Sequence, residues 1–292
     1  MKRNIKILCT TFLFSGFVGC QTVGDMVGQS PLTSEDISQD LSPSISGLSA
    51  DSVRSIRNRG KYLVTAVAGC QNCHGENLAA GKVFVDTDGV QFSAPNITPD
   101  TETGIGSWTL ADFVAVLRSG VSRSGEELRH PVHQGYKRMS DSDARAIGVF
   151  LLSIKPQPGE RAQGLPQTSE ELSARLSDLG YVSDLRIGPS AGYGRYLVSS
   201  TAGCASCHSK SEDYKDRFSG GHVALPNLET AYAPSLKGSK IAGKAEADFL
   251  SFLAGEVLSS EGKCPQPYFS KMTLGDRVAI AKYITLPRKK KD

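Results

Sequence analysis

The sequence contains the five-residue pattern Cys-x-x-Cys-His twice, at 70–74 and at 204–208. Two cysteines in this spacing can each form a thioether with one porphyrin, and the histidine that follows lies where it can bind the iron as the proximal ligand. A tetrahedral zinc site would need two further ligands at each copy, and a thioredoxin-like motif has no need of the histidine. The pattern predicts two covalent haem c groups, attached through Cys70, Cys73, Cys204 and Cys207 and ligated at iron by His74 and His208.

Each iron needs a second axial ligand to act as a fast electron carrier, and a methionine thioether in that position raises the reduction potential. The chain has four methionines, of which Met1 and Met26 lie near the N-terminus. Met139 and Met272 occupy equivalent places in the two halves of the chain, each directly before a residue that can cap a helix. We expect Met139 and Met272 to be the distal metal ligands. The alternative role for a methionine in this position is a hydrophobic staple before the cap.

Other side chains that bind iron lie close to these methionines in the sequence. His130 and His133 precede Met139, and Cys264 precedes Met272. A thiolate from Cys264 would lower the reduction potential of the second haem sharply. These three residues therefore remain alternative distal ligands.

The residues that position the motifs are repeated as well. A Gly-x-Tyr-Leu-Val segment begins at Gly60 and again at Gly194, and in both copies the first motif cysteine follows the glycine by ten residues. Asp112-Phe113 in the first half corresponds to Asp248-Phe249 in the second. Repetition at this length predicts two related domains rather than a solenoid. We assign residues 51–155 to the first domain, 156–186 to a linker and 187–287 to the second domain.

The pattern of apolar residues predicts helices and loops. We expect helices over 51–68, over 110–117 with Thr109 as the N-cap, and after a cap at Ser140 or Asp141. The second half should repeat the last of these over 276–284. A small hairpin is expected between Lys82 and Phe92, around the Asp88-Gly89 turn.

The N-terminus has the pattern of an export signal. A basic start precedes an apolar stretch from Ile7 to Val18, which is too short to span a membrane. Residues 1–20 resemble a bacterial lipoprotein signal that ends at Cys20, which would become the lipidated mature N-terminus; an ordinary cleaved signal is the alternative. Residues 21–50 are predicted to be a flexible tether. The chain is therefore expected in the cell envelope, facing the periplasm and anchored to the membrane by lipid.

Composition limits the classes of partner. The chain has 292 residues, 39% of them hydrophobic, and a formal net charge of +3. This is enough chain for about two domains, and the small net charge gives no indication of nucleic-acid binding. Residues 288–292 form a basic tail, which we take to be solvated.

The first motif is followed by Asn96–Asp100, Thr103–Trp108, Asp112-Phe113 and Met139-Ser140-Asp141. In this combination the chain resembles the cytochrome c subunits of membrane-bound bacterial alcohol and sugar dehydrogenases, and related dihaem class I cytochromes c. The resemblance covers 51–155 well and 187–287 more loosely. It implies an all-α fold of two tandem class I domains, each around one covalently bound haem.

Many members of that group carry a Met-Pro pair before the last helix, where this chain has His130-Pro131 and Cys264-Pro265. The resemblance implies a periplasmic electron carrier rather than an enzyme. It would pass electrons from a protein donor, such as a membrane-bound dehydrogenase, towards a respiratory acceptor. The alternative is a dihaem enzyme such as a thiosulfate dehydrogenase or a peroxidase, which needs an open or thiolate-ligated iron.

Overall fold

The computed structural model describes most of the chain that follows the predicted tether. Its described residues are 47–79, 81–85, 89, 91–128, 130, 132–159, 161, 181–210, 218–224, 230–236, 246–255 and 267–286. The predicted signal with Cys20, most of the 21–50 tether, Cys264 and the 288–292 tail lie outside this set. Of the helices in these ranges, none has the length and apolar character needed to cross a membrane.

The first half of the described chain runs from a helix through the first motif to a hairpin and further helices. Helix α1 (Ala50–Tyr62) begins at Ser49, whose hydroxyl accepts a hydrogen bond from the Ser52 N–H, and continues into a π-helical turn over Leu63–Val67. The elements that follow are α2 (Gln71–His74), β1 (Val83–Val85), β2 (Gln91–Ser93), α3 (Leu110–Ser119), α4 (Val132–Tyr136) and α5 (Asp141–Leu152).

The second half has its elements in a similar order. They are α6 (Ala191–Ser199), α7 (Cys204–Cys207), β3 (Gly221–Ala224), β4 (Thr230–Ala233), α8 (Glu246–Ala254), a 3₁₀ turn over Pro267–Lys271 and α9 (Leu274–Thr285). Both strand pairs are antiparallel two-stranded hairpins. The fold is mostly helical, in agreement with the prediction. The hairpin expected between Lys82 and Phe92 is confirmed, whereas the β3–β4 hairpin was not predicted.

The helix caps follow from the sequence. Thr109 and Asp112 form a capping box at the start of α3, because each side chain accepts a hydrogen bond from the other residue's backbone N–H. The Ser140 hydroxyl accepts from the Asp143 N–H at the start of α5. Thr273 makes the corresponding bond with Asp276 at the start of α9. The caps predicted at Thr109 and Ser140 are therefore confirmed.

The first and last helices of each half cross at a glycine. A Cβ built on Gly60 of α1 would lie 1.8 Å from the carbonyl oxygen of Ala146 in α5, and one on Gly194 of α6 would lie 1.8 Å from the carbonyl oxygen of Ala279 in α9. No side chain fits in that space, so only glycine allows the two backbones to approach so closely. The two repeated glycines thus have the same packing role in both halves.

The two halves share one interior. The buried apolar residues form a continuous cluster that includes Leu63, Phe113 and Ile147 from the first half and Leu197 and Ile280 from the second. The described residues also fall within one compact unit. The boundaries predicted at 155 and 187 therefore separate two repeats that pack closely together, and the division into domains stays a prediction.

Candidate haem sites

The first attachment turn is fixed by the backbone on both sides of Cys70. Gly69 has a left-handed conformation with φ of +60°, and a Cβ built there would lie 2.0 Å from Cε1 of Tyr268. After it, the Cys70 carbonyl accepts the His74 N–H at 2.9 Å, which closes the single turn of α2. The turn places both cysteines and the histidine of the motif on one short segment.

The surroundings of Cys70 and Cys73 disfavour disulfide exchange at the first motif. None of Cys70, Cys73, Cys204 and Cys207 forms a disulfide. Burial raises the pKa of the Cys70 thiol to about 12 and that of Cys73 to about 11. A redox-active Cys-x-x-Cys pair requires the opposite shift, because the thiolate is the reactive form. In the described ranges there is also no group of three or more His, Cys, Asp or Glu side chains that could hold a metal ion.

The two motif histidines are oriented in the same way. Nδ1 of His74 lies 2.6 Å from the carbonyl oxygen of Pro95, and Nδ1 of His208 lies 2.6 Å from that of Pro234. Burial lowers the pKa of both imidazoles and so favours their neutral form. With the Nδ1 proton donated to a carbonyl, Nε2 carries the lone pair that can bind a metal. Nε2 of each histidine is therefore available to bind iron as a proximal ligand.

A cavity of about 370 Å³ opens beside the first motif, and Cys70, Cys73 and His74 are part of its wall. The volume lies within the ordinary range for cofactor sites, roughly 300 to 1,000 Å³. Its apolar lining includes Phe84, Phe92, Pro95, Ile97, Trp108, Phe113 and Leu117. A wall of this kind, with two thiols and one neutral imidazole at one side, fits a covalently attached porphyrin.

The loop after β2 is held by its own hydrogen bonds. The Asn96 side chain donates to Thr103 Oγ1 at 2.9 Å and to the Gln157 carbonyl at 2.7 Å, and its Oδ1 accepts from the Thr98 N–H at 2.8 Å. Asn96 is buried, with 2% of its surface exposed. These bonds set the loop that presents the Pro95 carbonyl to His74, so Asn96 acts on the haem site through its neighbours.

The residues predicted as distal ligands lie in different surroundings, the two histidines in the cavity wall and the two methionines in the core. His130 and His133 both line the cavity. Met139 is fully buried in the hydrophobic core and is not among the described residues that line the cavity, and Met272 is buried at its equivalent position. Cys264 lies outside the described residues. Ligation by Met139 and Met272 stays a prediction.

The two cavity histidines differ in their surroundings. His130 Nδ1 accepts a hydrogen bond from the Val132 N–H at 3.3 Å, and its ring meets Phe84 edge-on at 5.2 Å between centroids. His133 Nδ1 is buried without a hydrogen-bond partner among the described residues. Burial, together with the nearby charges of His74 and His130, lowers the pKa of His133 to about 3. His133 is therefore a neutral imidazole that lines the same cavity as His74.

Helix α4 connects the two attachment sites. On one side His133 and Tyr136 face the first cavity. On the other, a Cβ built on Gly203 would lie 2.7 Å from Cγ2 of Val132, and one built on Gly135 would lie 3.0 Å from Oγ of Ser206. Burial raises the pKa of Tyr136 well above its ordinary value, and charges at Cys70, Cys73 and Cys207 raise it further. Tyr136 thus lines the first cavity together with Cys70 and Cys73, and the residue before it packs against the second attachment turn.

Several residues that line the first cavity had no role predicted from the sequence. Among them are Tyr136, Tyr268 from the second half and Arg123, whose guanidinium lies 5.4 Å from the centroid of the Trp108 ring. One available signal was the repeat itself, since the aromatic residue three positions before the methionine recurs as Phe269. Nothing in the sequence around Arg123 marks it as a cavity residue.

The paired attachment turns, the carbonyl-bound histidines and the apolar cavity have the geometry of a c-type cytochrome. The chain is 30% identical over 231 residues to the cytochrome c subunit of a quinone alcohol dehydrogenase from Gluconobacter oxydans, in an alignment that covers 70% of this chain and 47% of that relative. It is 29% identical over 203 residues to the fructose dehydrogenase cytochrome subunit of Gluconobacter japonicus, covering 64% and 41% of the two chains.

A third relative, a diheme cytochrome c-type protein of Cereibacter sphaeroides, is 29% identical over 170 residues, covering 52% of this chain and 56% of the relative. No family model matches the chain. The resemblance to cytochrome c subunits of dehydrogenases, predicted from the motifs, is confirmed by these relatives. The chain spans about half of the length of the three relatives, between 41% and 56%.

Proposed function

We propose that this chain is a dihaem c-type cytochrome that transfers electrons between a dehydrogenase or other donor and a respiratory acceptor. It consists of two tandem class I domains, 51–155 and 187–287, each built around one haem. The observation that carries the proposal is the repeated proximal site, in which His74 and His208 make the same 2.6 Å contact with a proline carbonyl. Relatives that are named as cytochrome subunits of dehydrogenases support the same function.

A bound haem c supplies reversible one-electron exchange between its ferric and ferrous states. The chain's own residues hold and shield it. Cys70 and Cys73 would hold the porphyrin covalently, His74 would offer Nε2 to the iron, and the apolar wall around Phe113 would keep water away from the site. The proximal histidine keeps its proton on Nδ1 through the Pro95 carbonyl, so no proton transfer to a substrate is required of it.

The position of α4 supports exchange of electrons between the two haems. Tyr136 is 4% exposed and lines the cavity that also contains Cys70 and Cys73. The helix also packs against the second attachment turn through Val132 and Gly135. Helix α4 therefore contacts both the first cavity and the second attachment turn.

The location of the protein follows from its N-terminal sequence. The basic start, the short apolar stretch and Cys20 favour export and lipid anchoring at the periplasmic face of the membrane. A membrane-bound dehydrogenase is then the expected donor, because the relatives' own names tie them to alcohol and fructose dehydrogenases.

The proposal is tested by counting haems. The mature protein should carry two haem equivalents by mass and by pyridine haemochrome, and its N-terminal Cys20 should carry lipid. Cys70→Ser with Cys73→Ser should remove one equivalent, and Cys204→Ser with Cys207→Ser the other. A colourless protein, or one without covalent haem, contradicts the proposal. Turnover of thiosulfate or peroxide by the purified protein would favour the enzyme alternative instead.

A further inference from the structure

The cavity beside the first motif is lined by the imidazole of His133 as well as by that of His74. We propose that His133 is the sixth ligand of the iron of the haem held by Cys70 and Cys73. The inference rests on the proposed function, because it requires a haem at that motif. It gives the first haem two imidazole ligands, where the chain's methionines would have given one imidazole and one thioether.

The environment of His133 supports a metal bond. Its side chain lines the same cavity as His74, and its Nδ1 is buried without a hydrogen-bond partner among the described residues. A buried polar atom that makes no bond costs free energy, and such an atom in a native protein calls for an explanation. Either nitrogen of a neutral imidazole can bind a metal. Ligation fixes the ring that now contacts Tyr136 edge-on at 5.5 Å between centroids.

His130 is the closest competitor, but its ring is used differently. Its Nδ1 accepts the Val132 N–H at 3.3 Å, so in the neutral tautomer the proton lies on Nε2 and the lone pair is already engaged. The ring also packs edge-on against Phe84. These contacts give His130 a role in starting α4, the helix that positions His133.

Met139 is the competitor that the sequence favoured. It is completely buried in the shared core, and its backbone N–H donates to the Tyr136 carbonyl at 2.9 Å, which closes the turn between α4 and the Ser140 cap. It is not among the described residues of the cavity wall. The methionine in this place acts as a packing residue ahead of the helix cap, the alternative role for this position.

An imidazole in place of a thioether gives up the stabilisation of ferrous iron that methionine provides, so the first haem should have a lower reduction potential than a methionine-ligated one. The consequence is measurable on the intact protein without any partner. Oxidised low-spin haems with two histidine ligands differ from histidine–methionine haems in their electron paramagnetic resonance and in their near-infrared magnetic circular dichroism.

The experiment compares the full-length dihaem protein with His133→Ala, His133→Met, His130→Ala and Met139→Leu. The wild-type protein should show one bis-histidine signal. His133→Ala should lose it, turn one of the two haems high-spin and bind one equivalent of carbon monoxide when reduced. His133→Met should replace the signal by a histidine–methionine signature at higher potential. Met139→Leu is the matched control and should keep the bis-histidine signal. His130→Ala tests the competing imidazole; it removes the acceptor of the Val132 N–H at the start of α4, so it should weaken the signal without abolishing it.

Two results overturn the assignment: no bis-histidine signal in the wild-type protein, or a signal that survives His133→Ala. Should His133→Ala fail to fold, the spectrum of His133→Met decides in the same way. The number of bound haems distinguishes a failure of the proposed function from a failure of the assignment of His133. A protein without two haems contradicts the proposed function, whereas two haems without a bis-histidine signal contradict only the role of His133.

Discussion

The hydroxyl of Tyr62 donates a 2.6 Å hydrogen bond to Oδ2 of Asp276, which follows it by 214 residues. The same hydroxyl accepts the Thr273 N–H at 3.0 Å, so that Tyr62 holds the cap of the last helix of the other half. Tyr196 repeats the arrangement in the opposite direction. It donates to Oδ2 of Asp143 at 2.8 Å and accepts the N–H of the Ser140 cap at 3.1 Å. A tyrosine that precedes the attachment turn in each half thus binds the last helix of the opposite half.

Removing one of these hydroxyls should destabilise the whole fold. Asp276 is only 4% exposed, so Tyr62→Phe leaves a buried carboxylate oxygen without this donor. The expected loss in the free energy of unfolding is about 1–3 kcal/mol, the usual cost of an unsatisfied buried group. Tyr196→Phe should cost less, because Oδ2 of the buried Asp143 still accepts a hydrogen bond from Arg59 at 3.0 Å. Chemical denaturation followed by circular dichroism measures both.

The matched control for this prediction is Tyr181→Phe, because Tyr181 is 73% exposed. That variant should have the same midpoint of chemical denaturation as the wild-type protein. If Tyr62→Phe and Tyr181→Phe were equally stable, the hydrogen bond between the halves would contribute nothing measurable.

Stability should fall at alkaline pH for a related reason. Burial raises the pKa of Tyr62 to about 12 from 10, helped by the hydrogen bond with Asp276, and burial raises that of Tyr193 to about 12 as well. The native state therefore retains these protons above pH 10, where the unfolded chain releases them. The stability that these two protonated tyrosines contribute is fully present below pH 10 and is lost as the pH rises towards 12. Unfolding midpoints across this range should fall less steeply in the Tyr62→Phe, Tyr193→Phe double variant.

The contact between Gly69 and Tyr268 should be needed for haem loading. In Gly69→Ala the new Cβ would overlap the Tyr268 ring, and alanine is strained at φ of +60°. Both effects displace Cys70, the next residue, so we expect a several-fold loss of haem at the first motif with the second retained. Haem staining of the separated protein and its mass report the result. Gly192→Ala is the control, since nothing lies within 4 Å of a Cβ there, and full loading of Gly69→Ala would contradict the prediction.

Tyr136 should influence electron exchange between the haems. Tyr136→Leu removes the aromatic ring from α4, the helix that contacts both the first cavity and the second attachment turn, so the exchange that follows photoreduction of one haem should slow several-fold. Tyr136→Phe keeps the ring and should exchange at close to the wild-type rate. Transient absorption on the dihaem protein measures both variants. Equal rates in the leucine and phenylalanine variants would remove Tyr136 from the path.

Much of this organisation was predictable because the chemistry is local. The attachment motifs, the helix caps and the first hairpin depend on residues a few positions apart, and the sequence identified the motifs, the Thr109 and Ser140 caps and the hairpin. The crossing of α1 and α5 was marked only indirectly, as the repeated glycine at 60 and 194. The short β3–β4 hairpin has no turn dipeptide of the Asp-Gly kind that marked the first one.

The distal side of the first site was harder to predict, since it depends on how α4 is oriented. Met139 and His133 are six positions apart, and either can bind iron according to its chemistry alone. Only packing against the second half, where Val132 meets Gly203 and Gly135 meets Ser206, brings the α4 side chains to the cavity. That contact joins residues about 70 positions apart, and no local pattern encodes it.

The reciprocal tyrosine bonds also constrain how the gene can change. A protein made from either half alone would expose an aspartate and a helix cap that have lost their binding tyrosine, beside an apolar face that the missing half had covered. Division of the gene between the repeats would therefore yield fragments that aggregate unless they are made together. For the same reason the two copies should accumulate substitutions in matched pairs, as the subunits of a dimer do, although they lie on a single polypeptide.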